Sequence, residues 1–258
     1  MITQIKKILN YKELLVNLVI KDLKVRYRGA VLGYMWSLLN PILMMIIYSI
    51  VFSYIIRIEV ENYPVFLLCA LLPWSFFSTS LTTASSSIVD NFSLINKVYF
   101  PREIFPISVI LSNLLHLIIS MFILIIFLFF TPSGLSLSIF LLPFVMLAHL
   151  IFTIGISLLL SCLTVFYRDI KYILELVVMI WFYATPIIYP LSMVPEKLQI
   201  FFDLNPMVGI ISIYRSILLY GKNPTISVLS STYLISFLML FLGYYIFQKY
   251  DKQIPKAL

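Results

Sequence analysis

Charge is scarce in this chain: 11% of its 258 residues are Asp, Glu, Lys or Arg, against roughly 25% in an ordinary soluble domain. A water-soluble globular fold is excluded on that ground. Cysteine is nearly absent as well. Cys69 and Cys162 both lie inside apolar runs, so neither a disulfide framework nor CxxC chemistry is implied. His116 and His149 are the only histidines, and with isolated carboxylates they supply no acid, base and nucleophile set and no metal site. No cofactor is called for. A GxxxxGK[ST] phosphate loop is missing too, since Gly221-Lys222 lacks the rest of the motif, so the chain is not expected to hydrolyse nucleotide itself. No internal repeat or low-complexity linker interrupts it.

What fills the chain instead is apolar residues, 62% of the total. They gather into six long runs: Ala30 to Ile56, Tyr63 to Val89, Ile104 to Phe130, Ile139 to Phe166, Tyr172 to Tyr189 and Ile226 to Phe247. Roughly 20 apolar residues span the hydrocarbon core as a helix. Backbone in lipid must satisfy its own hydrogen bonds, so such runs are helices or strands of a closed barrel. Barrel strands alternate polar and apolar residues over about ten positions, and these runs do not. The expected fold is therefore all-α and integral to the membrane, with six transmembrane helices.

The formal charge of +7 is unevenly placed. Residues 1–29 carry seven Lys and Arg against Glu13 and Asp22, a local +5, which argues for a membrane surface rather than nucleic acid. With the amino terminus in the cytoplasm, 14 of the 18 Lys and Arg fall inside, leaving Arg57, Lys197, Arg215 and Lys222 outside. Both termini are expected to be cytoplasmic. The first apolar run starts near residue 30 behind a charged segment, unlike a cleavable signal.

Three segments outside the runs have character of their own. Over residues 5–28, Lys6, Asn10, Glu13, Asn17, Lys21, Lys24 and Arg28 recur at helical steps opposite Ile5, Ile8, Tyr11, Leu15, Leu18, Val19 and Leu23. This is the pattern of an amphipathic helix lying in the interface. It reads either as a lipid-surface anchor or as an anion site in which Lys21, Lys24, Arg26 and Arg28 meet a substrate headgroup. Asp90 to Glu103 is too short to fold alone and too apolar to be a solvated loop. A short amphipathic helix ended by Pro101 fits it, pressed either on another protein or on the bilayer. Pro190 to Pro224 is the longest extracytoplasmic segment, where Asn205-Pro206 starts a turn. Met207 to Leu219 is apolar but too short to cross, which reads as a re-entrant or interfacial helix.

Coupling to protons or sodium needs an ionisable group in mid-membrane. Inside the six runs there is no Asp, Lys or Arg, and only Glu175, His116 and His149 could serve. If the protein transports actively, its energy must arrive through a partner on the cytoplasmic face. On the first run Tyr34, Ser37, Pro41, Met45, Tyr48 and Phe52 make one stripe, and Trp181, Phe182, Tyr183 and Tyr189 cluster around Pro186 in the fifth. Such rings are either ordinary core and interfacial anchors or a wall on which sugar rings stack. Ser75, Ser78, Thr79, Ser80, Thr82, Thr83, Ser85, Ser86 and Ser87 of the second run either bond back to their own helix or line a polar, uncharged conduit.

Several stretches resemble the permease subunits of ATP-binding-cassette polysaccharide exporters, the Wzm and TagG kind. They are Lys21 to Gly29 leading into Leu32 to Trp36 and Asn40-Pro41, then Asn96 to Glu103, Phe166 to Ile170, Ala184 to Ile187, and Asn205 to Met207 with Tyr214-Arg215. The likeness runs nearly end to end. It implies a homodimer of six-span subunits in the cytoplasmic (inner) membrane, each bound to a separate ATPase subunit, two copies in all, exporting lipid-linked O-antigen, teichoic acid or capsular polymer; a lipid-diphosphate-linked, O-antigen-like glycan is the expected cargo. The implied layout is an interface helix over residues 1–29 and a permease domain over 30–258, with a coupling segment at 90–103 and an outer gate segment at 190–224. Asn96, Lys97, Tyr99, Arg102 and Glu103, with Arg168 and Asp169, would contact the ATPase. Tyr34, Tyr48, Phe52, Trp181 and Tyr183 would line the channel. Three competitors remain on sequence grounds: an ATP-driven exporter of drug or lipid, a passive channel or flippase, and a membrane glycosyltransferase or acyltransferase, the last disfavoured by the missing acid and base.

Overall fold

With charge expelled from the apolar runs, each must close its hydrogen bonds within itself, and the elements of the computed structural model are helical throughout. Described are residues 10–26, 29, 33–55, 57, 60, 62–95, 100–129 and 136–254. The helices are α1 (Lys12–Arg26), α2 (Trp36–Ser49, continuing into a π segment at Ile50–Ile55), α3 (Tyr63–Asp90), α4 (Ile104–Phe129) and α5 (Leu142–Phe166, entered through a 3-10 turn at Leu137–Leu141). They are followed by α6 (Ile170–Tyr183), α7 (Glu196–Asp203), α8 (Pro206–Leu218) and α9 (Ile226–Tyr250, leading to a turn at Asp251–Gln253).

Local chemistry sets several of these boundaries. A proline in the first turn of α3, α5 and α8 occupies a place where no backbone donor is needed. Asn205 caps α8, its side chain accepting from the Met207 N–H at 3.0 Å. Gly221, in the left-handed region at φ 59°, turns the chain after α8, and its carbonyl accepts from Ser136 Oγ at 2.8 Å.

Four helices are long and apolar enough to cross a membrane, namely α3, α4, α5 with its entry turn, and α9; a fifth crossing results if the pair α7 and α8 counts as one broken span. The six expected spans are thus only partly matched. The run at Tyr172 to Tyr189 yields α6, 14 residues long and ending at Tyr183, because Pro186 lacks a donor and its ring bars helix at Thr185. A 14-residue helix rises about 21 Å, short of a roughly 30 Å core. Among its described residues the first run is helical from Gly33, a 3-10 turn at Gly33–Met35 leading into Trp36–Ser49 and the π segment. The outer segment holds two helices where one was expected, α7 and α8, meeting at 94°.

Helix α3 is the axis of the bundle: 78% of its apolar window is buried, against 17% for α9. Around it lie α2, α4, α5, α6 and α8. Helix α9 lies outside this ring, along α5. There Gly155 faces Met239 and Leu240, and a Cβ built on Gly155 would sit 2.5 Å from the Leu240 nitrogen, so backbone meets backbone. At one end of the bundle Leu18 of α1 packs with Ile88, Phe100, Ile104, Leu158, Phe247 and Ile254. This is the basic end. On α1 the exposed residues are both polar, with Glu13, Asn17, Lys21 and Lys24, and apolar, with Val16, Ile20 and Val25, while Leu18 meets protein.

Candidate functional site

A cavity of about 420 Å³ opens between α2, α3, α4 and α6. Helix α2 contributes Trp36, Asn40, Met44 and Tyr48, four residues one turn apart. Ser75 and Thr79 of α3, Asn113 and Ser120 of α4, and Phe182 of α6 complete much of the wall. Among the described residues no Asp, Glu, Lys or Arg lines it, but His116, one of the ionisable candidates of the apolar runs, does. Rings beside hydroxyl, amide and imidazole groups, with no carboxylate, ammonium or guanidinium among the described lining, suit a neutral polyhydroxylated molecule. Asn113, 2% exposed, donates from Nδ2 to Ser80 Oγ at 3.2 Å and Thr83 Oγ1 at 3.4 Å, while its Oδ1 has no hydrogen-bond partner.

The α3 hydroxyls divide between the two readings of the sequence. Thr82, Thr83, Ser85 and Ser87 donate to carbonyls three or four residues back, at 2.6–3.1 Å. Ser75 and Thr79 face the cavity. Of the five expected channel residues, Tyr48 lies in the cavity wall and meets Phe52 edge-on at 6.1 Å, and Phe52 in turn stacks near Tyr63 at 6.4 Å. Trp181 is tied down, donating from Nε1 to Asn205 Oδ1 at 2.8 Å. Tyr183 is 59% exposed, and its carbonyl accepts from the Tyr189 hydroxyl at 2.6 Å. The Tyr34 side chain lies outside the described residues.

At the end opposite α1 the structure joins three stretches of the sequence. Besides capping α8 and holding Trp181, Asn205 donates from Nδ2 to the Ala184 carbonyl at 3.1 Å and to Thr185 Oγ1 at 3.0 Å. Arg215, only 6% exposed, donates from Nη2 to the Ile187 carbonyl at 2.7 Å, from Nη1 to the Pro186 carbonyl at 2.5 Å and from Nε to the Phe66 carbonyl at 3.4 Å. Its guanidinium stands 3.5 Å from the centre of the Phe66 ring. The turn that ends α6 is therefore held by α8. Charge counting placed Arg215 merely among the outside cations; only its place in the Tyr214-Arg215 motif singled it out.

At the basic end, Lys21 is exposed and donates to Asn91 Oδ1 at 3.2 Å, and Lys24 is exposed. The Arg26 side chain and Arg28 lie outside the described residues, as do Asn96, Lys97 and Tyr99. Arg168 and Asp169 are exposed in the turn between α5 and α6. Arg102 and Glu103 are turned inward. Arg102 Nη1 lies 2.7 Å from Asp251 Oδ1 and also donates to the Asp251 carbonyl at 3.1 Å. Glu103, 3% exposed, accepts from Gln248 Nε2. Burial chiefly, and the Asp251 carboxylate, push the Glu103 carboxyl above the usual range, against backbone and Gln248 hydrogen bonds and Arg102. Among the described residues no group of three His, Cys, Asp or Glu could hold a metal.

Residues 13–219 match the ABC-2 type transporter family. The chain belongs to that family. Over 260 residues, the whole of both chains, it is 32% identical to the O-antigen export system permease protein RfbA of Myxococcus xanthus. It is 36% identical over 238 residues, 92% of each chain, to RfbA of Klebsiella pneumoniae. Over 211 residues, 79% of this chain and 80% of the other, it is 23% identical to the polysialic acid transport protein KpsM of Escherichia coli. This ABC-2 type transporter protein is a multi-pass membrane protein whose apolar helices border a cavity walled mainly by rings, hydroxyls and amides. Of the stripe's described side chains, Met45, Tyr48 and Phe52, Tyr48 lines this cavity, whose α2 wall follows the steps of four from Trp36.

Proposed function

We propose that this chain is the membrane-spanning subunit of an ATP-driven exporter that carries lipid-diphosphate-linked polysaccharide, of the O-antigen kind, out across the inner membrane. The observation that carries this reading is the full-length likeness to O-antigen export permeases. The ring- and hydroxyl-lined cavity, with no Asp, Glu, Lys or Arg among its described lining, supports it, since a neutral sugar chain asks for stacking and hydrogen bonds rather than ion sites.

In this reading two copies pair around the conduit. Support comes from α6, whose sole buried residue is Leu174, leaving Ile173, Leu176, Ile180 and Tyr183 to face another surface. Helices α2 and α6, lengthened by the π segment and the turns to Tyr189, complete six spans, and α7 and α8 form a re-entrant outer gate. Tyr34, Tyr48, Phe52, Trp181 and Tyr183 belong to the wall or brace it. Both termini lie in the cytoplasm. There Lys21, Lys24, Arg26 and Arg28 receive the diphosphate, several cations being needed for such an anion at a low-dielectric mouth. Two separate ATPase subunits dock on the 90–103 segment and on Arg168 and Asp169.

The test is reconstitution in vesicles with and without the co-purifying ATPase. Glycan moves only with the ATPase and ATP; uphill movement by this chain alone, with no nucleotide hydrolysed, overturns the reading.

A further inference from the structure

Residues 100–103 and the carboxyl end of α9 are 145 to 149 positions apart in sequence, yet they grip each other through polar groups. Gln248 and Asp251 are three residues apart, on one face of the last turn. Gln248 donates to Glu103 and Asp251 accepts from Arg102. Apolar packing closes over them, with Phe100 5% exposed and edge-on to Phe105 at 5.4 Å, and Phe247 and Ile254 both fully buried. Apolar contacts alone let two segments slide. A charge-assisted bond between Arg102 and Asp251, beside a carboxyl held by an amide, fixes register and direction. Arg102 spends Nη1 and Glu103 spends Oε1 inside the protein, while the buried Arg102 Nε has no hydrogen-bond partner.

We propose that Arg102 and Glu103 are positioning residues that couple the 90–103 segment to α9, making the last helix an output of movement at that segment. This rests on the reading above, in which the segment receives the ATPase. The push reaches α9 through Arg102–Asp251 and Glu103–Gln248, and passes to α5 through the glycine contact at Gly155.

The test uses the permease with its ATPase in proteoliposomes, measuring glycan exported per ATP hydrolysed. Arg102→Glu lowers that ratio about tenfold, the effect of losing one charge-assisted bond. Arg102→Glu with Asp251→Arg restores it to within about threefold of wild type, because the pair re-forms with its charges exchanged. Where Arg102→Glu fails to assemble, Arg102→Cys with Asp251→Cys replaces it: an oxidised crosslink keeps export per ATP and its reduction lowers it. An unchanged ratio in Arg102→Glu, or no recovery in an assembled exchanged pair, overturns the coupling role. A wild-type complex that exports no glycan instead overturns the functional reading.

Discussion

Removing the Arg215 guanidinium tests whether the end of the bundle opposite α1 is held as described. Arg215→Met keeps much of the side-chain volume and deletes two short bonds to the Pro186 and Ile187 carbonyls, a longer one to Phe66, and the stacking on the Phe66 ring. Hydrogen bonds from a charged donor contribute about 1.5–3 kcal/mol each, and a buried cation over a ring about 1–2 kcal/mol. Against this stands the several kcal/mol that burying the guanidinium costs. Because Met leaves buried carbonyls unpaired, the net loss is about 3 kcal/mol. For a chain of this size that lowers Tm by about 6–12 °C. Arg215→Lys, a point charge that cannot serve two carbonyls in parallel, loses about half as much. The assay is thermal unfolding of the detergent-purified protein, with Trp181 fluorescence reporting the junction through its bond to Asn205. A Met variant within about 2 °C of wild type, with Trp181 emission unmoved, refutes the reasoning.

Other positions give sharper or simpler readouts. Gly243→Leu drives a side chain into the Gly155 backbone, and the protein is expected to lose folded yield in detergent, whereas Gly209→Ala meets only Thr232 Oγ1 at 3.2 Å and is tolerated. Replacing Lys21, Lys24, Arg26 and Arg28 together by Gln abolishes glycan export while membrane insertion persists; full export in that variant retires the headgroup assignment. The raised Glu103 pKa means that the fold favours the protonated acid, so this group's contribution is fully present below the usual carboxylate range and is lost as pH rises through the folded value. Glu103→Gln therefore raises Tm more at pH 8 than at pH 4.5, and an equal change at both refutes the shift.

The long helices were legible because expulsion of charge marks their ends: the runs starting at Tyr63, Ile104 and Ile226 coincide with the starts of α3, α4 and α9. The fifth run overshot because hydropathy does not register the missing donor of Pro186. Which face of α2 lines the cavity was not legible, since lipid and protein interior both accept Leu, Ile and Met, leaving periodicity little contrast. Arg215 escaped for a different reason. Charge counting assigns cations to loops, and what buries this one is a set of carbonyls freed where α6 ends, a partner that only the tertiary fold supplies. Arg102 and Glu103 belonged to a stretch singled out as a docking surface, but their inward turn depends on Gln248 and Asp251, far along the chain.

The glycine contact between α5 and α9 separates load from cargo. With backbone against backbone there is no layer of deformable side chains to absorb strain, so the two 25-residue helices, about 37 Å long, behave as one strut. At the far end that strut is fastened to the outer elbow, where Ser136 and Ser138 donate to the Gly221 and Ile217 carbonyls. Neither helix lines the cavity. Force can thus run the length of α5 and α9 while the cavity between α2, α3, α4 and α6 keeps its shape.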